Sequence, residues 1–571
     1  MHNKTKLLIF ASLLLAACST DPMQEIPNRG DSAPEIETSG KICNTSDDAV
    51  AGSLIVKFGE EAIPSLEQNA LNAAKTRSAL TRSGIESVDD ILNDLHVTSL
   101  ERVFPEAGEH EARTRAAGLH RWYVLRFASE EDLDKAAERL AGVAEISKVQ
   151  FRTRLYRASD CKTYPFQATA NGQTRALVTA DFNDPNLFWQ WHYINNADQA
   201  VATTSVAGAD INVADAWKLT AGNPEVIVAI VDEGVKYTHP DLAANMWINP
   251  NPSPEYKNQD IHGWNFAADG PISWGQKGDS GHGTHVAGTV AAVNNNGVGV
   301  CGVAGGTGRN DGVKLMSCQI FSGNDATSGA ITTSAEAIKY AADNGAAIIQ
   351  CSFGSKAGAY TSDSAYERGS GVQYNAIKYF IESQNCDAVG GGVVIFAAGN
   401  DATAMSGYPG AYHDYISVTS FSPDYLPAYY TNYGPGCNIS APGGDYKISA
   451  DAAKTYAEVL STVPSELSEY NGADYGFMQG TSMACPHVSG VAALGLSYAL
   501  EKGKKFTLDE FKTMILTSVN DMETYLDGSK TGLVLADYRK KMGTGSIDAY
   551  QLLMQVEGTP CLRAKVGTKQ L

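Results

Sequence analysis

Between residues 226 and 398 short, almost purely apolar runs are separated by stretches with a different rhythm. Val226–Val231 reads VIVAIV, Ala346–Cys351 reads AAIIQC and Gly392–Ala398 reads GVVIFAA. A strand with one wet face alternates polar and apolar residues; runs this continuous belong to strands buried on both faces of a parallel sheet. Ser334–Asn344, between the first two runs, has helical spacing. Strands separated by helices predict an α/β fold over residues 182–557: a doubly wound, mostly parallel sheet with helices on both faces. Upstream the rhythm differs. Gly52–Phe58 and His120–Phe127 alternate, Ile146–Arg152 is a third strand, and residues 62–82 are helix-like. Glu130–Leu140 sets Leu133, Ala136, Ala137 and Leu140 on one helical face. Residues 50–157 therefore predict a small α+β unit, an open-faced sandwich. Residues 158–181 show no period and read as a linker, and residues 558–571 as a short tail.

The N-terminus changes where such a protein resides. Lys4 and Lys6 precede an apolar run, Leu7–Ala17, too short to span a bilayer and laid out as a secretory signal. The run ends Leu15-Ala16-Ala17-Cys18. Small residues just before a cysteine resemble the lipobox of bacterial lipoproteins. That resemblance implies a signal peptide over residues 1–17, lipidation of Cys18, and an exported protein, periplasmic or at the cell surface, that meets the membrane through its N-terminal lipid only. Residues 18–49, rich in Ser, Pro, Asp and Glu, read as a flexible tether.

Charge narrows the partners. The 571 residues include 44 Lys or Arg and 64 Asp or Glu, a net charge of −20. Residues 182–557 hold 20 basic and 38 acidic residues, a net of −18, and residues 50–160 hold 15 and 18, a net of −3. An acidic main body excludes nucleic acid as a partner, which needs clustered positive charge. The basic run Arg152–Arg157 closes the small unit and is a plausible docking edge for the acidic body. The ten cysteines include no C-x-x-C pair, so no zinc site is suggested, and Cys301, Cys318, Cys351 and Cys485 sit in apolar surroundings that favour buried free thiols.

Four residues stand out for chemistry. Asp232 ends the buried run VIVAIV, at the strand edge where parallel sheets place ligands, although an Asp there is often a helix cap. His282 opens HGTHVAGTVAA; His282 and His285 are three apart rather than in the zincin spacing, which favours one catalytic and one structural histidine over a metal pair. Ser482, in GTSMACPHVSG, lies near a helix start marked by Pro486, in a positive field suited to a developing oxyanion, although a plain Ser N-cap has the same look. Asn400, in AAGN after a buried strand, is either an oxyanion donor or a turn residue. Two decoys fail on context: GVGVCG at 297–302 follows a helix rather than a strand, and GTSMA lacks the second glycine of an esterase elbow.

The order Asp…His…Asn…Ser, carried by VDEG, HGTHVAGTVAA, AAGN and GTSMACPHVSG, resembles the subtilisin-like serine proteases, or subtilases, over residues 182–556. The resemblance implies a serine endopeptidase acting on protein or peptide substrates. It assigns Asp232 to orienting the histidine, His282 to the general base, Ser482 to the nucleophile and Asn400 to the oxyanion hole. It implies that Ser352, Phe353 and Gly354 pair with substrate backbone, and that Gly407 lies near the floor of the primary pocket. No cofactor is required for the chemistry, and a structural calcium near Asp241 and Asn294 is implied. Residues 50–157 resemble the family's propeptide, an intramolecular inhibitor and foldase whose C-terminal end lies in the cleft until it is cut between Arg157 and Asp181. The sequence departs at Glu233, where relatives often carry Ser or Thr; a second carboxylate there is expected to raise the pKa of Asp232 or His282.

Overall fold

The computed structural model describes residues 40–571 apart from 77, 129–130, 158–163, 167–181, 324–327, 452–453, 564–565 and 568–571. The signal-like run, Cys18 and most of the linker lie outside the described residues. The eight cysteines among the described residues are free, and Cys301, Cys318, Cys351 and Cys485 are buried as expected.

The small unit is built from β1 (Ala49–Phe58), helices α1 (Ile63–Thr76) and α2 (Glu86–Asp94), β2 (Ser99–Arg102), a short α3 (Glu111–Ala116), β3 (Trp122–Arg126), α4 (Leu133–Ala141) and β4 (Ile146–Thr153). Its strands pair antiparallel in the order β2-β3-β1-β4. The edge strand β2 was not expected: four residues are too few for alternation to register. Period-two alternation splits β1 between two cores. Leu54 and Val56 pack with Leu66, Leu92, Leu125 and Leu140 beneath the helices. Ile55 faces the other way, with Trp122 and Val124, into a cluster shared with the main body. The sandwich is therefore closed on its second face by apolar packing. The docking face is apolar at its centre and carries both signs of charge at its margin, where Arg157 meets Glu233 of the main body and Asp48 meets Lys356 of the main body.

Two short strands follow, β5 (Tyr156–Arg157) and β6 (Tyr164–Pro165), and then α5 (Val213–Ala216). The main sheet is assembled from β7 (Ile227–Glu233), β8 (Gly263–Asn265), β9 (Lys314–Phe321), β10 (Ile348–Cys351), β13 (Val393–Ala397), β14 (Ile416–Phe421) and β15 (Ile439–Pro442). Helices α6 (His282–Ala291), α7 (Ile331–Asp343), α8 (Asp363–Gly369) and α9 (Gly371–Ile381) intervene, with short β11 (Phe353–Gly354) and β12 (Val389–Gly390); β16 (Val459–Thr462), β17 (Tyr475–Met478) and α10 (Thr481–Glu501) follow. The nine-stranded order runs from Val519–Asn520 through Ser546–Ile547, β15, β14, β13, β10, β7 and β9 to β8. Every pairing is parallel except that of the edge strand Val519–Asn520. Both faces are covered: Val228 and Ile230 pack with Val286 and Val290 of α6 and Val488 and Val491 of α10, while Ala229 and Val231 pack with Ile338 of α7 and Ile377 of α9. The doubly wound reading is met.

Helix α10 is long and apolar enough to cross a membrane, but residues 481–499 are buried in the protein core. Pro486 lies in its second turn rather than its first. A proline there donates no N–H to the carbonyl four residues back, which is that of Ser482. That carbonyl accepts the Ser352 hydroxyl at 2.8 Å instead.

From β7 the chain goes first to one side, to β8 and β9, and then through α7 to β10 on the other. Ligands gather outside the carboxyl ends of strands at such a reversal. Helix α6 comes so close to β7 that a Cβ on Gly283 would lie 2.1 Å from the Glu233 carbonyl oxygen. Gly283→Ala is expected to push α6 off β7 and cost about 1–3 kcal/mol, as overpacking does. The thermal unfolding midpoint of the variant measures this, and an unchanged midpoint contradicts the contact.

Candidate active site

Asp232 is the penultimate residue of β7, His282 the first of α6, and both are buried. His282 Nδ1 lies 2.7 Å from Asp232 Oδ1, which also accepts the Glu233 backbone N–H at 2.7 Å. His282 Nε2 is buried and has no hydrogen-bond partner. The adjacent strand carries the other half of the site. Parallel register sets Val231 beside Cys351, so Asp232 and Ser352 leave neighbouring strands at the same level. Ser352 is tied to Ser482 both ways: the Ser482 hydroxyl donates to the Ser352 carbonyl at 3.2 Å, and the Ser352 hydroxyl to the Ser482 carbonyl at 2.8 Å.

Ser482 is the second residue of α10, so its own N–H belongs to the first turn, where amides have no intrahelical acceptor. Asn400 follows β13, the next strand over. Its Oδ1 accepts Thr481 N and Thr481 Oγ1, both at 2.9 Å, which orients the amide. Asn400 Nδ2 is buried and unpartnered. An oriented side-chain N–H and a helix-terminal N–H beside one hydroxyl can hold a developing oxyanion. Gly407 donates its N–H to the Ala398 carbonyl at 2.9 Å, and a Cβ there would stand 3.0 Å from the Ser355 carbonyl, so a side chain would crowd that backbone.

The other buried histidines are structural. His285 Nε2 lies 3.0 Å from the Val459 carbonyl, and burial depresses its pKa to about 3. His487 Nδ1 lies 2.7 Å from the Met483 carbonyl and its Nε2 2.8 Å from His192 Nδ1; burial takes His487 to about 3 and His192 well below its ordinary value. His239 is taken to about 4 by burial.

Asp241 and Asn294, the residues implied for a structural calcium, both accept hydrogen bonds from protein N–H groups. The oxygens of Asp241 accept Asn296 Nδ2 at 2.7 Å and Val300 N at 2.9 Å, and burial pushes its carboxyl up to about 7. Asn294 Oδ1 accepts Gly302 N at 2.8 Å and leaves a donor, Nδ2, unpartnered. Among the described residues, no group of three or more His, Cys, Asp and Glu side chains is placed to hold a metal.

Glu233 is buried beside the Asp232–His282 pair. Its carboxylate serves as an acceptor for the turn before α6: it takes the Ser280 N–H at 3.1 Å, the Ser280 hydroxyl at 3.1 Å and the His282 N–H at 3.0 Å, and it pairs with Arg157. Arg157 belongs to β5, which pairs antiparallel with β11 in the register Phe353↔Arg157 and Gly354↔Tyr156. On its other edge Leu155 N donates to the Gly329 carbonyl at 2.7 Å and Arg154 bridges Ala330. Residues 154–157 thus lie between two backbone edges, beside Ser352. Thr481, Ser280 and the Gly329–Ala330 edge were not singled out from sequence; only the GTSMA motif pointed near any of them.

Asp232, His282 and Ser482 stand at the carboxyl edge of a doubly wound sheet flanked by an extended chain segment, and similarity to known proteins makes the chain a serine endopeptidase. Residues 223–541 match the family model described as the subtilase family, and the chain belongs to that family. It is 30% identical over 335 residues to the thermophilic serine proteinase of a Bacillus species, covering 58% of this chain and 68% of that protein. It is 32% identical to thermitase of Thermoactinomyces vulgaris, covering 50% of this chain and 79% of that protein. It is 33% identical to halolysin of Haloferax mediterranei, covering 58% of this chain, and spans about half, 49%, of halolysin's length. Among solved structures, fervidolysin from Fervidobacterium pennivorans shares the fold over 90% of this chain and 62% of its own, with a TM-score of 0.55 at 20% identity.

The buried histidines give the fold an acid limit. Their folded pKa values lie below the ordinary value near 6.5, so below that pH the unfolded chain binds protons that the folded chain refuses. Stability is fully present above pH 6.5 and is lost as pH falls towards 3–4, by about 1.4 kcal/mol per histidine per pH unit. Thermal unfolding of the Ser482→Ala variant, which removes the nucleophile, should show the midpoint falling from pH 7 to pH 5; a flat profile contradicts the neutral assignment.

Proposed function

We propose that the chain is an exported serine endopeptidase made as a zymogen, anchored through lipid on Cys18, with residues 50–157 as its propeptide. The observation that carries the catalytic reading is the 2.7 Å His282–Asp232 contact, which leaves His282 Nε2 buried and unpartnered. In this reading the Ser482 hydroxyl leaves the Ser352 carbonyl and hydrogen-bonds to His282 Nε2. The histidine takes the proton as Oγ attacks the peptide carbonyl, and Asp232 holds the imidazole and stabilises its charged form. Asn400 Nδ2 and the Ser482 N–H bind the oxyanion. His282 returns the proton to the leaving amine, and water then opens the acyl-enzyme by the same steps reversed.

The zymogen reading is supported by residues 154–157, which occupy the groove as an added strand and exclude substrate from Phe353 and Gly354. Export is supported by relatives described as extracellular proteases, from Dichelobacter nodosus and Xanthomonas campestris, and by the layout of residues 1–18.

Wild-type protein is expected to be recovered with a new N-terminus within residues 158–181, and Ser482→Ala as the intact precursor. N-terminal sequencing of both settles it; a variant processed like wild type contradicts the nucleophile. Asn400→Ala is expected to lower kcat about 10²–10³-fold with little change in KM, as loss of one oxyanion donor does. Steady-state kinetics on a chromogenic peptide measures this, and a loss confined to KM contradicts the role.

A further inference from the structure

Peptide hydrolysis does not account for Glu233. Its side chain is 3% exposed and sits directly after Asp232, where a carboxylate is costly to bury unless it is paired. Its protein partners are two backbone N–H groups and one hydroxyl, all from residues 280–282. The cation that completes the set is the Arg157 guanidinium, which comes from the strand lying in the groove. Arg157 Nη1 also donates to Ser280 Oγ at 2.8 Å, while that hydroxyl faces Glu233, so Ser280 links the two charges.

Register fixes which substrate position this is. Arg157 pairs with Phe353, and the strands run antiparallel. In a peptide bound as residues 155–157 are, the residue after the arginine therefore falls opposite Ser352, whose carbonyl touches the Ser482 hydroxyl. The attacked carbonyl belongs to that next residue, and the arginine is one place before it.

We infer that Glu233 and Ser280 form a specificity subsite that selects peptides with arginine at the second position before the scissile bond. The inference rests on the peptidase reading. Once the N-terminal segment departs, Glu233 keeps only its N–H and hydroxyl donors, and an arginine-bearing substrate restores the pair. Both contacts are made by the single nitrogen Nη1, so a lysine ammonium, with three donors on one atom, is expected to serve as a second-best substitute limited by its reach. Glutamate at that position meets like charge and is rejected.

The test uses the processed enzyme and fluorogenic peptides built on Leu-Tyr-Arg-Ala-Ser-Asp, which copies residues 155–160, with the arginine replaced in turn by lysine, glutamine or glutamate. Wild type is expected to cut after the alanine and to prefer arginine over glutamine in kcat/KM by about 30-fold or more, the scale of breaking a buried charge pair. In Glu233→Gln the ratio is expected to fall to near one. Because each ratio is taken within one enzyme, a general loss of turnover cancels, and the wild-type profile needs no variant. A wild type that cuts all four peptides equally, or an arginine preference that survives Glu233→Gln, overturns the subsite. A wild type inactive on all four peptides and on casein overturns the peptidase reading, and the subsite falls with it.

Discussion

The contact between His282 Nδ1 and Asp232 Oδ1, 2.7 Å long and wholly buried, depends on how close one helix can come to one strand. Gly283 makes that approach possible, because any Cβ would run into the Glu233 carbonyl. The buried cores on both faces of the sheet hold α6 and β7 in place, so local geometry at the site is maintained by apolar packing many residues away. A hydrogen bond of this kind is worth little net in water-exposed surroundings and far more where an unpaired buried group is the alternative.

The remaining polar machinery follows the same logic of arranged vacancies. Pro486 frees the Ser482 carbonyl from the helix ladder, and Ser352 takes it, which ties the nucleophile's backbone to the end of β10. Thr481 consumes both acceptor positions of Asn400 Oδ1, which leaves its amide as a donor with no protein acceptor. His282 Nε2 is left open in the same way. Both atoms are buried and unpartnered at the carboxyl edge of the sheet, where a reacting group could use them; other buried polar atoms without partners, such as Gln150 Nε2 and Ser99 Oγ, lie elsewhere in the described residues. The groove edge at Phe353–Gly354 is an unpaired strand edge by nature, and here the chain's own residues 156–157 fill it.

Much of this was legible in the sequence because burial on both faces erases alternation. The runs at 226–231, 346–351 and 392–398 became β7, β10 and β13, the three adjacent strands that carry Asp232, Ser352 and Asn400. The family motifs supplied His282 and Ser482; in the structure His282 meets Asp232 through Nδ1, and His285 meets the Val459 carbonyl through Nε2. Other features were not legible. Four-residue β2 is too short to show a period. The partners of Glu233 lie 47 and 76 positions away, at Ser280 and Arg157, and no local pattern links them. The loop at 294–300 closes on Asp241 through its own amides, a matter of backbone path rather than composition. Pro486 was read as marking a first turn because proline usually does; the carbonyl it orphans has a side-chain partner from another strand, which sequence does not reveal.

In the proposed mechanism one serine hydroxyl, activated through the His282–Asp232 contact, does the chemistry. The most direct measurement is covalent labelling of the processed protein with a fluorophosphonate, followed by peptide mapping in the mass spectrometer. A single adduct on Ser482 is expected in wild type, with labelling strongly slowed in Asp232→Asn. Labelling at another residue, or no labelling in protein that has released its N-terminal segment, would contradict it.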